Sequence, residues 1–215
     1  MKQFVVIGLG RFGVSVATFL AGKGHDVLAI DKAEEPVQNI ADQVTHSVQA
    51  DSTDECALKS LGVCNFDAAV VSIGDDIQSS VMTTLILKEL GVEYVLAKAQ
   101  NEMHGKLLNK IGADKVVYPE MDMGVRVAKN LVTSNVLDYI ELAPDYSIIE
   151  VVATDKLIGH TLKELDLRAK FGINVIAIMR GQEINVNPEA TDEIQARDIL
   201  IVMGHEKNLE RIKEH

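Results

Sequence analysis

Phe4-Val5-Val6-Ile7-Gly8-Leu9-Gly10-Arg11-Phe12-Gly13-Val14-Ser15-Val16-Ala17-Thr18-Phe19-Leu20 is the stretch on which the fold of this chain turns. Phe4 to Ile7 is an apolar run short enough to be a buried strand. Three glycines then bend the chain, and Val14 to Leu20 opens a helix. Glycines at this spacing, after a strand and before a helix, form the G-x-G-x-x-G fingerprint of a nucleotide-binding turn. Gly8 permits the tight turn, Gly10 lets a pyrophosphate approach the backbone, and Gly13 lets the helix lie close on the strand. Unpaired N–H groups at the helix start, with the positive end of its dipole, hold the phosphates. Gly8, Gly10, Arg11, Phe12 and Gly13 are therefore candidate nucleotide-binding residues.

Strand and helix alternate outward from that turn. Strands are expected at Asp26–Asp31, His46–Asp51, Asp67–Ile73, Tyr94–Ala99 and Lys115–Tyr118. Helices are expected at Glu34–Asp42, Asp54–Leu61 (capped by Thr53), Ile77–Leu90 and Glu102–Ile111. The unbroken apolar run of the Asp67 strand suits a strand covered on both faces of a parallel sheet. Six strands with intervening helices predict an α/β fold, a Rossmann-type doubly wound parallel sheet with right-handed crossovers.

Pro119 closes the sixth strand, and the pattern changes. Met121 to Val136 reads as one longer helix, apolar at Met121, Val125, Ala128, Leu131 and Val132. It is either a last helix packed on the sheet or a connector whose apolar stripe meets a partner subunit. Beyond it, strands at Ser147–Ala153, Asn174–Met179, Glu183–Asn187 and Ile199–Met203 surround one helix at Leu162–Leu167, and Glu206–Glu214 reads as a terminal helix. The chain thus divides into a nucleotide-binding domain with its connector helix, 1–136, and a smaller α+β domain, 137–215.

Composition bounds the function. The chain has 215 residues, 47% hydrophobic and 25% charged, with a formal net charge of −11. Acids exceed bases in both halves. Such a field repels nucleic acid and anionic lipid, so a phosphate ligand has to be captured by local geometry and a few placed cations. Cys56 and Cys64 have no metal-ligand or C-x-x-C spacing, as expected of reduced thiols in a cytosolic protein. The first apolar run ends in the glycine loop after a few residues, so no signal peptide is expected. No apolar stretch reaches the roughly 20 residues of a membrane span.

The individual side chains say more. Asp31 ends the second strand roughly twenty residues beyond the glycines, where an acid accepts hydrogen bonds from an adenosine ribose. Asp51 ends the third strand in a similar place, facing the adenine edge. Asp54, Glu55, Asp75 and Asp76 read as caps and surface charges. Arg11 stands at the mouth of the phosphate site, where a guanidinium favours a terminal phosphate, its own or that of a neighbouring subunit's nucleotide. Lys98 lies inside an otherwise apolar strand, and burying an unpaired ammonium is costly, so it needs a carboxylate or a phosphate. Glu120, at the end of the sixth strand and the same edge of the sheet, is placed either to ligate a cation or to pair with Lys98. The six histidines are scattered, and the second half lacks the clustered Asp/His/Lys set of a dehydrogenase.

The opening Phe4 to Gly13, Ala29-Ile30-Asp31, Lys98-Ala99-Gln100-Asn101, Ile111-Gly112-Ala113-Asp114 and Pro119-Glu120 resemble an RCK domain, also called the TrkA N-terminal domain. Gly159 to Leu165, Arg168-Ala169, Gly172 to Ile178, Arg180-Gly181 and Asp198 to Gly204 resemble its C-terminal companion. Together they cover almost the whole chain, which is similar to the cytosolic subunit of Ktr-type bacterial potassium-uptake systems. The resemblance implies a non-catalytic homo-oligomer, a ring of eight built from dimers, beneath a potassium-conducting membrane subunit. It also implies a cytoplasmic protein held through that partner at the inner face of the cell membrane. ATP and ADP would compete for the cleft, with Asp31 on the ribose, Arg11 on a phosphate across the dimer and Glu120 on Mg2+ or another cation near the terminal phosphates. Cyclic di-AMP would bind between two C-terminal domains, where Arg168, Asn174 and Pro188 match. NAD(H) binding also occurs among RCK-like domains, which keeps open a nicotinamide-dependent oxidoreductase; a regulator of a different cation transporter or antiporter is the third reading.

Overall fold

The computed structural model describes residues 1–132 and 136–213. It divides into two compact units, Met1–Asp122 and Met123–His215. In the first, strands β1 (Gln3–Ile7), β2 (Asp26–Asp31), β3 (His46–Gln49), β4 (Ala68–Val71), β5 (Tyr94–Lys98) and β6 (Lys115–Val117) form one sheet in the order β3-β2-β1-β4-β5-β6. Every pairing in it is parallel.

The alternation of side chains along a strand explains the layering. Val5 and Ile7 join the core on one face, with Leu58 and Val63, Ile86 and Leu87, and Leu108. Val6 points the other way, into a core with Leu9, Ala17, Val37 and Ile40. Helices α1 (Arg11–Gly22) and α2 (Glu34–Ile40) therefore cover one face, and α3 (Glu55–Ser60), α4 (Ile77–Glu89) and α5 (Glu102–Lys110) the other. Each fully buried Leu or Ile contributes about 1.5–3 kcal/mol relative to exposure. The strand order reverses between β1 and β4, and the crevice beyond their carboxyl ends is where such sheets bind ligands.

The chain leaves this unit through α6 (Pro119–Val132). The helix begins two residues earlier than the sequence pattern indicated, because Pro119 starts it rather than closing the preceding strand. Proline suits a first helical position, where its missing N–H has no partner to lose. Residues 133–135, the expected end of this helix, lie outside the described residues, and Val136 already belongs to a strand. Met121, Val125 and Leu131 are exposed. The division between units falls within α6, whereas the sequence pattern put it near 136.

In the second unit, β7 (Val136–Ala143), β8 (Tyr146–Val152), β9 (Asn174–Arg180), β10 (Glu183–Asn185) and β11 (Ile199–His205) form a five-stranded sheet in the order β10-β9-β11-β8-β7. All its pairings are antiparallel. Strand β7 was not foreseen. The single helix expected at Leu162–Leu167 is two, α7 (Leu162–Leu165) and α8 (Leu167–Phe171), broken where Asp166 takes φ 44°. Helix α9 (Glu206–Lys213) ends the described chain; Glu214 lies outside it. Ile149, Val151, Leu200 and Val202 alternate into this unit's core with Ile194 and Leu209. Among the described residues no helix is long and apolar enough to cross a membrane.

Candidate functional site

A cleft of about 540 Å3 opens at the carboxyl ends of β1 and β4, and most of the expected side chains line it. The glycine loop forms its floor. Gly8 has φ +91°, a left-handed conformation that side chains resist. At Gly13 an added Cβ would overlap the Gly8 carbonyl oxygen and Ser72 Oγ, so α1 lies on the loop at a distance only glycine allows. Gly10 is the opposite case. A Cβ there would meet nothing within 4 Å, because that direction is open. The first helical bond of α1 runs from Val14 N–H to the Gly10 carbonyl at 2.9 Å, so the N–H groups of Arg11, Phe12 and Gly13 precede it. These are the donors a helix start offers an anion.

Asp31 leaves β2 and clamps the loop from the side. Its Oδ2 accepts the Leu9 N–H at 2.7 Å and its Oδ1 the Ala33 N–H at 2.9 Å. A carboxylate has about four acceptor positions, so two remain for ribose hydroxyls. Ser72, after β4, donates its hydroxyl to the Gly8 carbonyl at 2.5 Å and pins the turn from the opposite strand. The Gln100 side-chain amide donates to the Gly74 carbonyl, holding the loop after β4.

Of the partners open to Lys98, the chain supplies the carboxylate. Lys98 Nζ donates to Glu120 Oε1 at 2.5 Å; the lysine side chain is 13% exposed and the glutamate 70%. The ammonium hydrogen bond holds the Glu120 carboxyl below its ordinary range. Glu120 sits in the first turn of α6, one element later than the strand end where it was expected. Arg11, Phe12, Lys98 and Glu120 all line the cleft, so these expected positions give it two cations and one acid.

Asp51 is not brought to the cleft wall. It lies beyond the end of β3, and its Oδ1 accepts the Thr53 hydroxyl at 2.7 Å and the Thr53 N–H at 2.9 Å. Those bonds, the hydroxyl's first, lower its pKa. Its neighbour Ser52 lines the cleft instead. The cap of α3 is Asp54, not Thr53. Asp76 caps α4 through Ser79, as expected of a cap, yet both also line the cleft. Lys32, Ser52, Ser72 and Ser79 were missed in the sequence; adjacency to Asp31 could have flagged Lys32, whereas small hydroxyls carry no periodic signal.

In the second unit, exposed Arg168 lies in α8, exposed Asn174 opens β9, and half-buried Pro188 follows β10. None of them lines the cleft of about 330 Å3 beside Arg180, Asn185 and Asp192. Among the described residues no group of three or more His, Cys, Asp or Glu side chains is placed to hold a metal ion.

Fold and cleft together define a Rossmann-type nucleotide-binding module followed by a small antiparallel domain. A TrkA-N domain matches residues 4–119 and a TrkA-C domain residues 146–215. The Ktr system potassium uptake protein C of Bacillus subtilis is 52% identical over 213 residues, covering 99% of this chain and 96% of that protein. The Ktr system potassium uptake protein A of Vibrio alginolyticus is 38% identical, covering 97% and 94%. The GsuK RCK domain superposes with a TM-score of 0.69 at 18% identity, covering 99% of this chain and 47% of that one, a likeness of fold. The chain belongs to the TrkA-N/TrkA-C, or RCK, family of Ktr potassium-uptake proteins. Its role in that family is regulatory, not enzymatic.

Proposed function

We propose that this protein is the nucleotide-sensing regulatory subunit of a potassium-uptake system, in which ATP and ADP compete for the β1–α1 cleft and ATP favours the conducting state. The observation that carries this reading is the lining of the cleft, which joins Arg11 of the glycine loop and the Lys98–Glu120 pair in one wall. In this reading a third phosphate engages these groups and a diphosphate does not. A ligand shifts a conformational equilibrium only by its differential affinity for the two states. Moving a ring from 1:99 to 99:1 takes about 5.5 kcal/mol. Shared among the eight subunits proposed for the ring, this is on the order of 0.7 kcal/mol each, less than one charge-assisted hydrogen bond supplies.

The membrane partner in this reading is a separate potassium-conducting subunit, and the exposed apolar side of α6 is where copies of the chain meet. Cyclic di-AMP is proposed for the second unit, with Arg168, Asn174 and Pro188 around it. Calorimetric titration of the full chain with ATP, ADP, NADH and cyclic di-AMP tests the ligand set. Arg11→Ala is expected to reduce the preference for ATP over ADP by about tenfold. Unchanged relative affinities would remove Arg11 from the mechanism, and tight NADH with no ATP binding would overturn the reading.

A further inference from the structure

We infer that Gln100 is a positioning residue of the cleft: its side-chain amide turns the peptide between Gly74 and Asp75 so that the Asp75 N–H faces the bound phosphates. The inference rests on the nucleotide reading above. It adds a donor on the side of the cleft away from Asp31, and the residue that aims it.

The sheet order sets β4 between β1 and β5, with β2 beyond β1. Ile73, Gly74, Asp75 and Asp76 lead out of β4, and all four line the cleft. Gln100 follows β5, and its Nε2 donates to the Gly74 carbonyl. A carbonyl only accepts, so the amide nitrogen is the donor. The carbonyl is thus drawn toward the β5 side. No peptide bond among the described residues is cis. In a planar trans peptide the C=O and the following N–H point in opposite directions. The Asp75 N–H therefore points to the β1 side, where the glycine loop lies. It donates to no other described residue. The start of α4 beside it is closed by its own cap, since Asp76 Oδ1 accepts the Ser79 N–H at 3.0 Å. A nucleotide with its ribose at Asp31 and its pyrophosphate after β1 runs across the strand ends toward β4. Its phosphates then meet the Asp75 N–H.

Glycine at position 74 makes a clamp necessary. A peptide next to glycine flips at little cost, and a flip would turn an acceptor toward phosphates that are themselves acceptors. Gln100 is braced in turn. Its own N–H donates to Nδ1 of His104 at 3.3 Å, and that ring, in α5, is 1% exposed. Asn101 caps the same helix, accepting the His104 N–H at 2.9 Å. The Gln100 side chain is itself on the surface, so its loss bears on the aim of the peptide more than on the stability of the fold.

The test joins calorimetric titration of the full chain with ADP to backbone amide NMR of the same samples. In the wild type, ADP is expected to move the Asp75 amide resonance together with those of the glycine loop. Gln100→Leu keeps the bulk and removes the donor. It is expected to weaken ADP by at least about tenfold, as the loss of one hydrogen bond to a charged group does. The Asp75 amide should then stay unmoved while the loop amides still respond, a pattern that general loosening of the fold would not produce. Circular dichroism melting checks that the variant folds; if it does not, the wild-type Asp75 resonance decides alone. An affinity within about twofold of wild type in Gln100→Leu overturns the inference and leaves the nucleotide reading standing. So does an Asp75 amide that ignores ADP while the glycine loop responds. A wild type that binds no ADP overturns both.

Discussion

Gly10 and Gly13 lie three positions apart in one loop, and a methyl group added at each should fail in different ways. At Gly13 the new Cβ overlaps the Gly8 carbonyl oxygen and Ser72 Oγ. The first of these is backbone, so nothing flexible can yield. Overpacking of this kind costs about 1–3 kcal/mol, and a rigid neighbour puts the cost at the upper end. Alanine returns up to about 1 kcal/mol in helix propensity. The net loss for Gly13→Ala is about 2 kcal/mol. With a urea m-value of about 1.5–2 kcal/mol per molar for a unit of this size, the first unit's midpoint drops by about 1 M. At Gly10 the methyl meets no protein atom, and φ −73° suits any residue. Gly10→Ala costs at most about 1 kcal/mol, as the loss of a good N-cap residue, but fills the space assigned to the pyrophosphate. Urea unfolding followed by backbone amide NMR reads stability by unit, and titration with ADP reads binding. The expected pattern is a destabilised Gly13→Ala and a stable Gly10→Ala whose ADP affinity falls at least about tenfold. Wild-type stability in Gly13→Ala would refute the close-packing account. Unchanged ADP affinity in Gly10→Ala would refute the position given to the pyrophosphate.

Lys98→Met keeps the stem of the side chain and removes its charge. Because Glu120 is largely exposed, stability should change by less than about 1 kcal/mol, while the Glu120 carboxyl returns toward its ordinary pKa, measurable by NMR titration of its side-chain carbon. In the second unit, buried Asp198 accepts two hydrogen bonds from Arg180, at 2.8 and 2.7 Å, and one from the Gln195 N–H, at 2.8 Å. The Arg180 bonds, first among its causes, lower the Asp198 pKa. A carboxyl depressed in the folded state contributes stability above its unfolded value of about 3.9, and that contribution is lost as pH falls through the folded value. The second unit should therefore lose stability below about pH 4, and Arg180→Met should move its acid unfolding midpoint upward. An unmoved midpoint would show that the pair does not set acid stability.

How much of this was legible in the sequence depended on whether the signal was local. The glycine loop declares itself because three backbone requirements fall within six residues. Lys98 was legible for a different reason: a cation among Val95, Leu96, Ala97 and Ala99 demands a partner, even though its identity waits on the fold. Strand β7 was not legible. It is an edge strand whose pairing with β8 shifts register twice, and sequence periodicity carries no mark of such an irregular pairing. The break between α7 and α8 rests on the backbone of Asp166, a residue that enters the left-handed region without glycine's signature. Ser52 was passed over in favour of Asp51 because a strand-end acid is a recognisable candidate. Which of two adjacent residues faces the cleft is settled by the turn, where Thr53 takes up the Asp51 carboxylate.

The two hydrogen bonds of Asp31, to Leu9 and to Ala33, also bear on how this site can evolve. The carboxylate proposed for the sugar is the same one that fastens the glycine loop to the end of β2. A substitution that altered sugar preference at this position would leave two backbone donors unpaired and loosen the loop in the same step. On the proposed nucleotide reading, the sugar end of the cleft is therefore tied to the integrity of the loop itself, and variation in what is bound has freer scope elsewhere in the cleft.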